Sequence, residues 1–500
     1  MSLASIIGKW NTRLISSPIG YRLARGSSWN FLGTVVYRGA VLISSILIAK
    51  IIGQVEFGKL GAIQTTVNML GLLAGLGLGQ TATRYVARCR TSDPFKAGRV
   101  IAMTELLAYA MAMLISSALY MGAPWIAKYT LAEPDLADLL RIGAVLLFFS
   151  VLSGAQTGAI AGFEAFHLVA RINFISAIIT VPAVLIGTLV DGVSGAVWGM
   201  SLSQMVNWIM TNAALRKEIR RLEFPLIFSG CFKEIHILKN FSFPALLANM
   251  VVGIAVWGGT ALLVNQTNGY AEMGLFNAAN QWRNLILFIP GIIMQVSLPI
   301  LSAAVSSRDD NDYQKALTLT QSMMVIVSFP VATALMFLSG PILKMYGSGF
   351  VAGSYIFIGA IFTGLVQCIG AATGPAIEAR GVMWFGFFLN LSWAAMFLLL
   401  ATMTVSTWGG EALAFAMALS YVILTVWGFL YMAPTLPAGM LGRVFKALLF
   451  AILITLACLA VPLGIRPFVA APITLVSLIV AVFYLSDIRV NINKQPSVNT

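Results

Sequence analysis

"FLGTVVYRGAVLISSILIAKIIG" occupies residues 31–53. At about 1.5 Å per residue, a helix of that length exceeds the ~30 Å hydrocarbon core of a bilayer. It is apolar nearly throughout, yet it carries Arg38. A guanidinium at mid-bilayer costs about 2.5–3.5 kcal/mol on insertion scales. Either the segment is not a membrane helix, or the charge has a use.

Composition decides for the membrane. The chain has 500 residues, 59% of them hydrophobic and 10% charged, with a mean hydropathy of +0.89. Soluble globular domains carry about 25% charged residues, and no soluble fold of this length hides so much apolar side chain. The fold class expected is an all-α polytopic membrane protein, since nothing resembles the alternating ten-residue strands of an outer-membrane barrel. A formal charge of +13 would suit a nucleic-acid binder. The basic residues, however, lie in short loops between apolar runs, where they set topology and meet anionic lipid; no nucleic-acid partner is expected. Cys89, Cys231, Cys368 and Cys458 show no metal or redox spacing, so neither a disulfide, a metal nor a cofactor is expected. The first 26 residues are polar and basic without a cleavable signal pattern, which makes the first apolar run a retained helix.

Cutting at charged, Gly/Pro and Asn/Asp clusters gives fourteen candidate spans, near 27–52, 59–83, 98–122, 137–161, 166–190, 193–215, 241–265, 272–302, 317–339, 352–375, 382–404, 411–433, 446–464 and 467–485. The last two are short and weakly bounded, leaving open twelve spans with a re-entrant pair. With the N-terminus cytoplasmic, 23 Lys and Arg fall inside and 6 outside, while Arg38 and Arg283 lie within spans. That asymmetry places both termini in the cytoplasm.

The longest soluble segment, "RKEIRRLEFPLIFSGCFKEIHILKN" (216–240), follows six spans. The expected organisation is a cytoplasmic segment 1–26, an N-lobe 27–215, a basic linker 216–240, a C-lobe 241–433, an additional helix pair 434–485 and a cytoplasmic tail 486–500. "FGKLGAIQTTVN" (57–68) and "MGLFNAANQWRN" (273–284) align at an offset of 216, pairing Gly58 with Gly274, Ala62 with Ala278 and Asn68 with Asn284. Each is the second span of its half. Six spans per half is an even number, so the two copies form a parallel repeat about an axis along the membrane normal.

Arg38 and Arg283 both lie about 16 Å deep, too far in to snorkel easily. One reading is an internal ion pair, for which Glu105 is the only acid clearly inside a span. The favoured reading is a hydrated, positively charged cavity between the halves for an anionic substrate. Asn277, Asn280, Gln281 and Asn284 follow i, i+3, i+4, i+7 spacing and share a helix face, with Arg283 at its edge. Amides beside a guanidinium offer donors and acceptors to sugar hydroxyls and a planar fork to phosphate; interhelical hydrogen bonding is the bland alternative. Gln64 and Asn68 stand four apart at the equivalent depth in span 2.

Other motifs carry less. The glycines of "GLLAGLGLGQT" (71–81) lie within a span with no preceding strand, which argues against dinucleotide binding and for close helix approach or bending. Pro182, Pro244, Pro290, Pro299 and Pro330 are hinge candidates or static kinks. His167 and His236 are far apart, no hydrolase, nucleotide or zinc motif is present, and the outside loops are too short to build a general acid/base site. The chain is not expected to be an enzyme.

"RGSSWNFLGTVVYRGAVLISSILIAKIIGQVEFGKLGAIQT" (25–65), "LGLGQTATRYVAR" (76–88) and "GYAEMGLFNAANQWRNLILFIPGIIMQVSLPILS" (269–302) together resemble the polysaccharide-exporter (Wzx-like) oligosaccharide-lipid flippases of the MATE/flippase superfamily. The Ala-Arg-Gly opening and the turn "IIGQVEFG" after span 1 carry most of the likeness, which extends over most of 20–430. It implies two six-helix lobes alternating between inward- and outward-facing states in a bacterial inner membrane. The implied cargo is an oligosaccharide on a polyprenyl (usually undecaprenyl) diphosphate, bound by Arg38, Arg283 and the amides. The implied partners are membrane lipids and the glycan polymerase and chain-length proteins, with the flippase itself a monomer. Drug-exporting relatives tend to carry an acid in the first span; here Arg38 stands instead, leaving Glu105 as the coupling candidate. An unpaired ion moved into a low dielectric costs of order 20 kcal/mol by the idealised Born estimate, and a wet cationic cavity removes most of that barrier for a diphosphate. Alternative readings are a cation-coupled multidrug exporter, a membrane-embedded glycan polymerase or ligase, and a scaffold without transport.

Overall fold

The computed structural model describes residues 18–235, 243–306, 310–437 and 439–493. Residues 1–17 of the expected N-terminal segment, 236–240 of the expected linker (with His236) and 494–500 of the expected tail lie outside the described residues.

The described residues are helical, without a strand. In chain order the helices are α1 (Pro18–Gly75), α2 (Leu78–Cys89), α3 (Pro94–Trp125), α4 (Leu136–Gly162), α5 (Phe166–Arg221), α6 (Phe243–Val264), α7 (Gly269–Ser306), α8 (Asp310–Phe337), α9 (Ser339–Tyr346), α10 (Ser354–Gly370), α11 (Thr373–Arg380), α12 (Met383–Met432), α13 (Met440–Ala460) and α14 (Arg466–Asn493). Among the described residues nine stretches are long and apolar enough to cross a membrane. Three of them bend sharply: α1 at Gly53 (φ 82°), α5 at Asp191–Gly192 (Gly192 φ 53°) and α12 at Gly409 (φ 52°). Left-handed backbone costs an L-residue about 1–2 kcal/mol and glycine almost nothing, so two helices meet at each kink without a loop between them. Each bend falls between two expected spans. With α1, α5 and α12 taken as two limbs each, the nine stretches give twelve limbs that fall on expected spans; α7 lies outside the nine, and α14 contributes only a shorter apolar helix, Arg466–Ile479. Pro182 and Pro330 lie inside helices that contain no break at the proline.

Contacts group the chain into two compact units. The first comprises residues up to Ser44, Val67–Ile126 and Asp135–Leu246. Its α3 opens on Pro94 after Asp93, whose carboxylate accepts from the Lys96 amide at 2.9 Å. A Cβ on Gly158 of α4 would stand 2.1 Å from the Gly79 carbonyl of α2, and Thr83 Oγ1 donates to the Gly158 carbonyl at 2.9 Å. The glycine run 71–81 thus does both things expected of it: it bends the chain at Leu76–Gly77, both at positive φ, and lets two helices touch. Ala82, Val86, Ile101, Ile160 and Leu215 close the core beside them.

The second unit comprises Ser45–Thr66, Ala127–Pro134 and the chain from Leu247 onward. Helix α10 runs through its centre against α7, α8 and α12, with Ile358, Ile361, Leu365 and Ile369 fully buried. The second limb of α1 lies along α7, where Gln54 Nε2 donates to the Ala271 carbonyl at 3.1 Å. The Tyr270 hydroxyl donates to the Leu131 carbonyl at 2.6 Å, and Lys59 lies 3.1 Å from Glu56 and 3.9 Å from Glu133.

Candidate substrate site

Arg283 sits mid-way along α7, half-buried in the second unit. Its Nη1 points at the thioether of Met417 on α12, with Sδ 2.7 Å away, and Tyr421, one turn further along α12 and beside Gln367 of α10, is within electrostatic reach. The aliphatic stem of the arginine passes over Gly364, where a Cβ would approach its Cγ to 3.1 Å. A thioether is a weak acceptor, and guanidinium has five donors. Arg283 Nε is buried without a partner, and among the described residues no carboxylate pairs with the side chain. The same is true of two acceptors nearby in sequence or space: Asn280 Oδ1, one turn earlier on α7, and Gln367 Oε1. Each such orphan costs about 1–3 kcal/mol. A cation and two amide oxygens left unsatisfied in one helical unit fit a polar, anionic ligand better than helix glue, in which those atoms would find each other.

The amide stripe resolves into three environments. Asn277 is buried, its amide lying over Gly61 on the second limb of α1, where a Cβ would come within 2.9 Å of Nδ2. Asn280 and Gln281 are half-buried and Asn284 is exposed. Trp282, on another face, donates from Nε1 to the Tyr346 hydroxyl at 3.1 Å. On α1, Gln64 is half-buried and Asn68 exposed, and Arg38 on the first limb is exposed.

Glu105 neutralises neither deep arginine. It is 3% exposed on α3, and Arg216 of α5 grips both its oxygens, at 2.8 and 3.0 Å. Gln156 of α4 donates to Glu105 at 3.5 Å and to Asn212 of α5 at 3.2 Å, closing a three-helix polar network in the first unit. Arg216 was expected in the cytoplasmic linker; α5 runs on to Arg221, and the guanidinium folds back to the acid. Sequence reasoning also passed over Gln156, Asn212 and Gln367. All three are polar residues inside expected spans, so a census of intramembrane amides finds them. A second membrane acid was missed as well: Glu272, in the first turn of α7, accepts from the Gly410 amide at the α12 bend.

A family model described as "Polysaccharide biosynthesis protein" matches residues 23–305, more than half of the chain. The chain belongs to this family. Among curated members of the wider group, it is 22% identical to the EPS I polysaccharide export inner membrane protein EpsE of Ralstonia nicotianae over 82% of this chain and 94% of that one. It is 24% identical to the lipid III flippase of Escherichia coli over 62% and 74%. Among solved structures, the lipid II flippase MurJ in an inward closed conformation matches with a TM-score of 0.67 at 17% identity, covering 91% of this chain and 99% of the other. At that identity the likeness speaks for the fold alone, a bundle of long apolar helices.

Proposed function

We propose that this polysaccharide biosynthesis family member is a flippase that carries a polyprenyl-diphosphate-linked oligosaccharide from the cytoplasmic to the outer leaflet of a bacterial inner membrane, by alternating access and without a chemical step. The observation that carries the reading is the Arg283 guanidinium, which meets only the Met417 thioether, leaves its Nε buried without a partner, and has the unpartnered amide oxygens of Asn280 and Gln367 nearby. Such a charge is retained against its cost when an anion visits it. Within the second unit, Arg283 holds the diphosphate or an acidic sugar, and Asn280, Gln281, Asn284 and Gln64 offer hydrogen bonds to sugar. The family and the names of the relatives point the same way. Glu105 stays the coupling candidate, gripped by Arg216. Both termini lie in the cytoplasm in this reading, as the basic-residue asymmetry requires, and a monomer serves the polymerase and chain-length proteins.

The test is reconstitution. Purified protein in vesicles should expose a fluorescent undecaprenyl-diphosphate oligosaccharide to a membrane-impermeant reagent faster than empty vesicles do. Arg283→Ala should abolish the effect, and cation-driven efflux of a lipophilic dye should be absent. Dye efflux with no movement of the lipid-linked glycan would establish the multidrug-exporter alternative instead.

A further inference from the structure

The linker between α5 and α6 is held against the first unit in a fixed orientation. Helix α5 ends at Arg221, the chain runs without regular structure through 224–228, and Cys231–Ile235 forms one 3₁₀ turn. Three contacts pin it. The Pro225 carbonyl fills the place of a side chain at Gly98, where a Cβ would stand 1.8 Å away. Cys231 is 1% exposed and packs with Ala102 and Met103. Glu234, also buried, accepts from Arg99 Nε and Nη2 at 3.1 and 3.0 Å, with Lys96 at 3.9 Å.

A 3₁₀ turn brings i and i+3 onto one ridge. With Cys231 and Glu234 turned inward, Phe232 and Ile235 share an outward ridge and are 47% and 44% exposed. Phe228 is exposed beside them in sequence, and Phe95, at the start of α3 next to the anchoring Lys96, is 61% exposed. Phe228, Phe232 and Ile235 lie outside the spanning stretches, so acyl chains do not cover them as they cover the outward residues of a membrane helix. The exposed charges of the same stretch are mostly basic: Lys217, Arg220, Arg221 and Lys233. Two of its three acids are buried and paired, Glu218 with Arg221 at 2.6 Å and Glu234 as above.

We infer that Leu222–Ile235 is a membrane-surface element: Phe228, Phe232 and Ile235 enter the headgroup–acyl boundary of the leaflet that borders the linker, and the flanking Lys and Arg bind anionic lipid headgroups. Continuity argues for this occupant. The segment leaves one membrane helix and leads into the next, so it stays at the membrane face, where apolar side chains and basic flanks have complementary neighbours. The inference does not depend on the cargo.

The full chain, bearing Ser229→Cys, tests it. The four native cysteines are buried, so an environment-sensitive thiol label reports on the exposed position 229. In nanodiscs containing phosphatidylglycerol, the label should emit blue-shifted light, be quenched by lipids spin-labelled near the headgroup and be shielded from aqueous iodide. Adding Phe232→Asp and Ile235→Asp should reverse all three. Label accessible to iodide and untouched by the lipid quencher in the unaltered linker overturns the proposal, and so does identical behaviour in purely zwitterionic discs, which removes the headgroup recognition. Thermal unfolding of the double variant matching that of the parent shows that the reversal is not misfolding.

Discussion

Gly58 and Gly274 meet backbone to backbone. A Cβ on Gly58 would stand 1.8 Å from the Tyr270 carbonyl oxygen and 2.9 Å from the Gly274 nitrogen; one on Gly274 would stand 2.1 Å from the Gln54 carbonyl oxygen. These are the glycines that the internal repeat aligns. One turn further on, Gly61 faces Asn277, again 216 residues apart, and one turn earlier Gln54 reaches Ala271, 217 apart. Contacts at a nearly constant difference in residue number mean that the second limb of α1 and α7 run side by side in the same direction. Equivalent residues touching equivalent residues is the signature of a two-fold contact, here within one chain.

Filling that contact should be costly. The obstructing atoms are backbone, which no rotamer change moves, so Gly58→Leu and Gly274→Leu should each destabilise by about 3 kcal/mol or more, at the upper end of overpacking. Gly75→Ala, where nothing stands within 4 Å of the new methyl, is the control. Thermal unfolding in detergent reads the difference; equal midpoints for Gly58→Leu and Gly75→Ala would refute the close approach.

Glu105 and Arg216 should behave as a coupled pair, sealed on the side of the acid. Removing the base leaves a nearly sealed carboxylate, a loss of about 3–5 kcal/mol; removing the acid leaves a guanidinium that is 34% exposed, which costs less. Glu105→Leu combined with Arg216→Met should recover much of it. A double-mutant cycle on unfolding midpoints checks this, and simple additivity of the two losses would mean that the pair is not formed.

At the α12 bend, Gly409 has φ 52°, and a Cβ there would lie 1.8 Å from Glu272 Oε2. Gly409→Ala should therefore destabilise through both backbone and clash. Glu272→Ala clears the clash at the cost of the acceptor for the Gly410 amide. The double variant should be less unstable than the sum of the singles. A sum that is strictly additive would show that the carboxylate does not sit on the bend.

Spans and their ends were legible because two physical signals coincide there: apolar length, and the residues that let a helix kink between spans. Cutting between 52 and 59, 190 and 193, and 404 and 411 brackets Gly53, Asp191–Gly192 and Gly409, where the backbone turns. Side-chain destinations were legible only where the partner helix did not matter. Helical spacing puts Asn277 on the polar stripe, but the slot it occupies is made by Gly61, more than two hundred residues away. Arg216 reads as a loop charge because apolar content ends at Leu215, although helix and guanidinium geometry carry it back to Glu105. Met417 and Tyr421 carry no polar signature that singles them out within an apolar span; only the crossing of α12 with α7 and α10 brings them to Arg283.

Arg283 offers the sharpest test of a structural against a functional charge. A structural arginine, such as Arg216, loses stability when its charge is removed because a carboxylate is stranded. Arg283 strands none, and truncation relieves a buried, unpartnered Nε. Arg283→Met, of similar volume, should therefore leave the unfolding midpoint unchanged or raise it, while glycan export falls to background. Arg283→Lys keeps the charge and loses the planar fork, so it should fall between parent and Met: a point charge still attracts phosphate, but without bidentate geometry. Export measured at matched expression, alongside unfolding of the purified variants, separates the two roles. A midpoint lowered in step with activity would assign Arg283 to packing, and unimpaired export from Arg283→Met would remove it from the path of the cargo altogether.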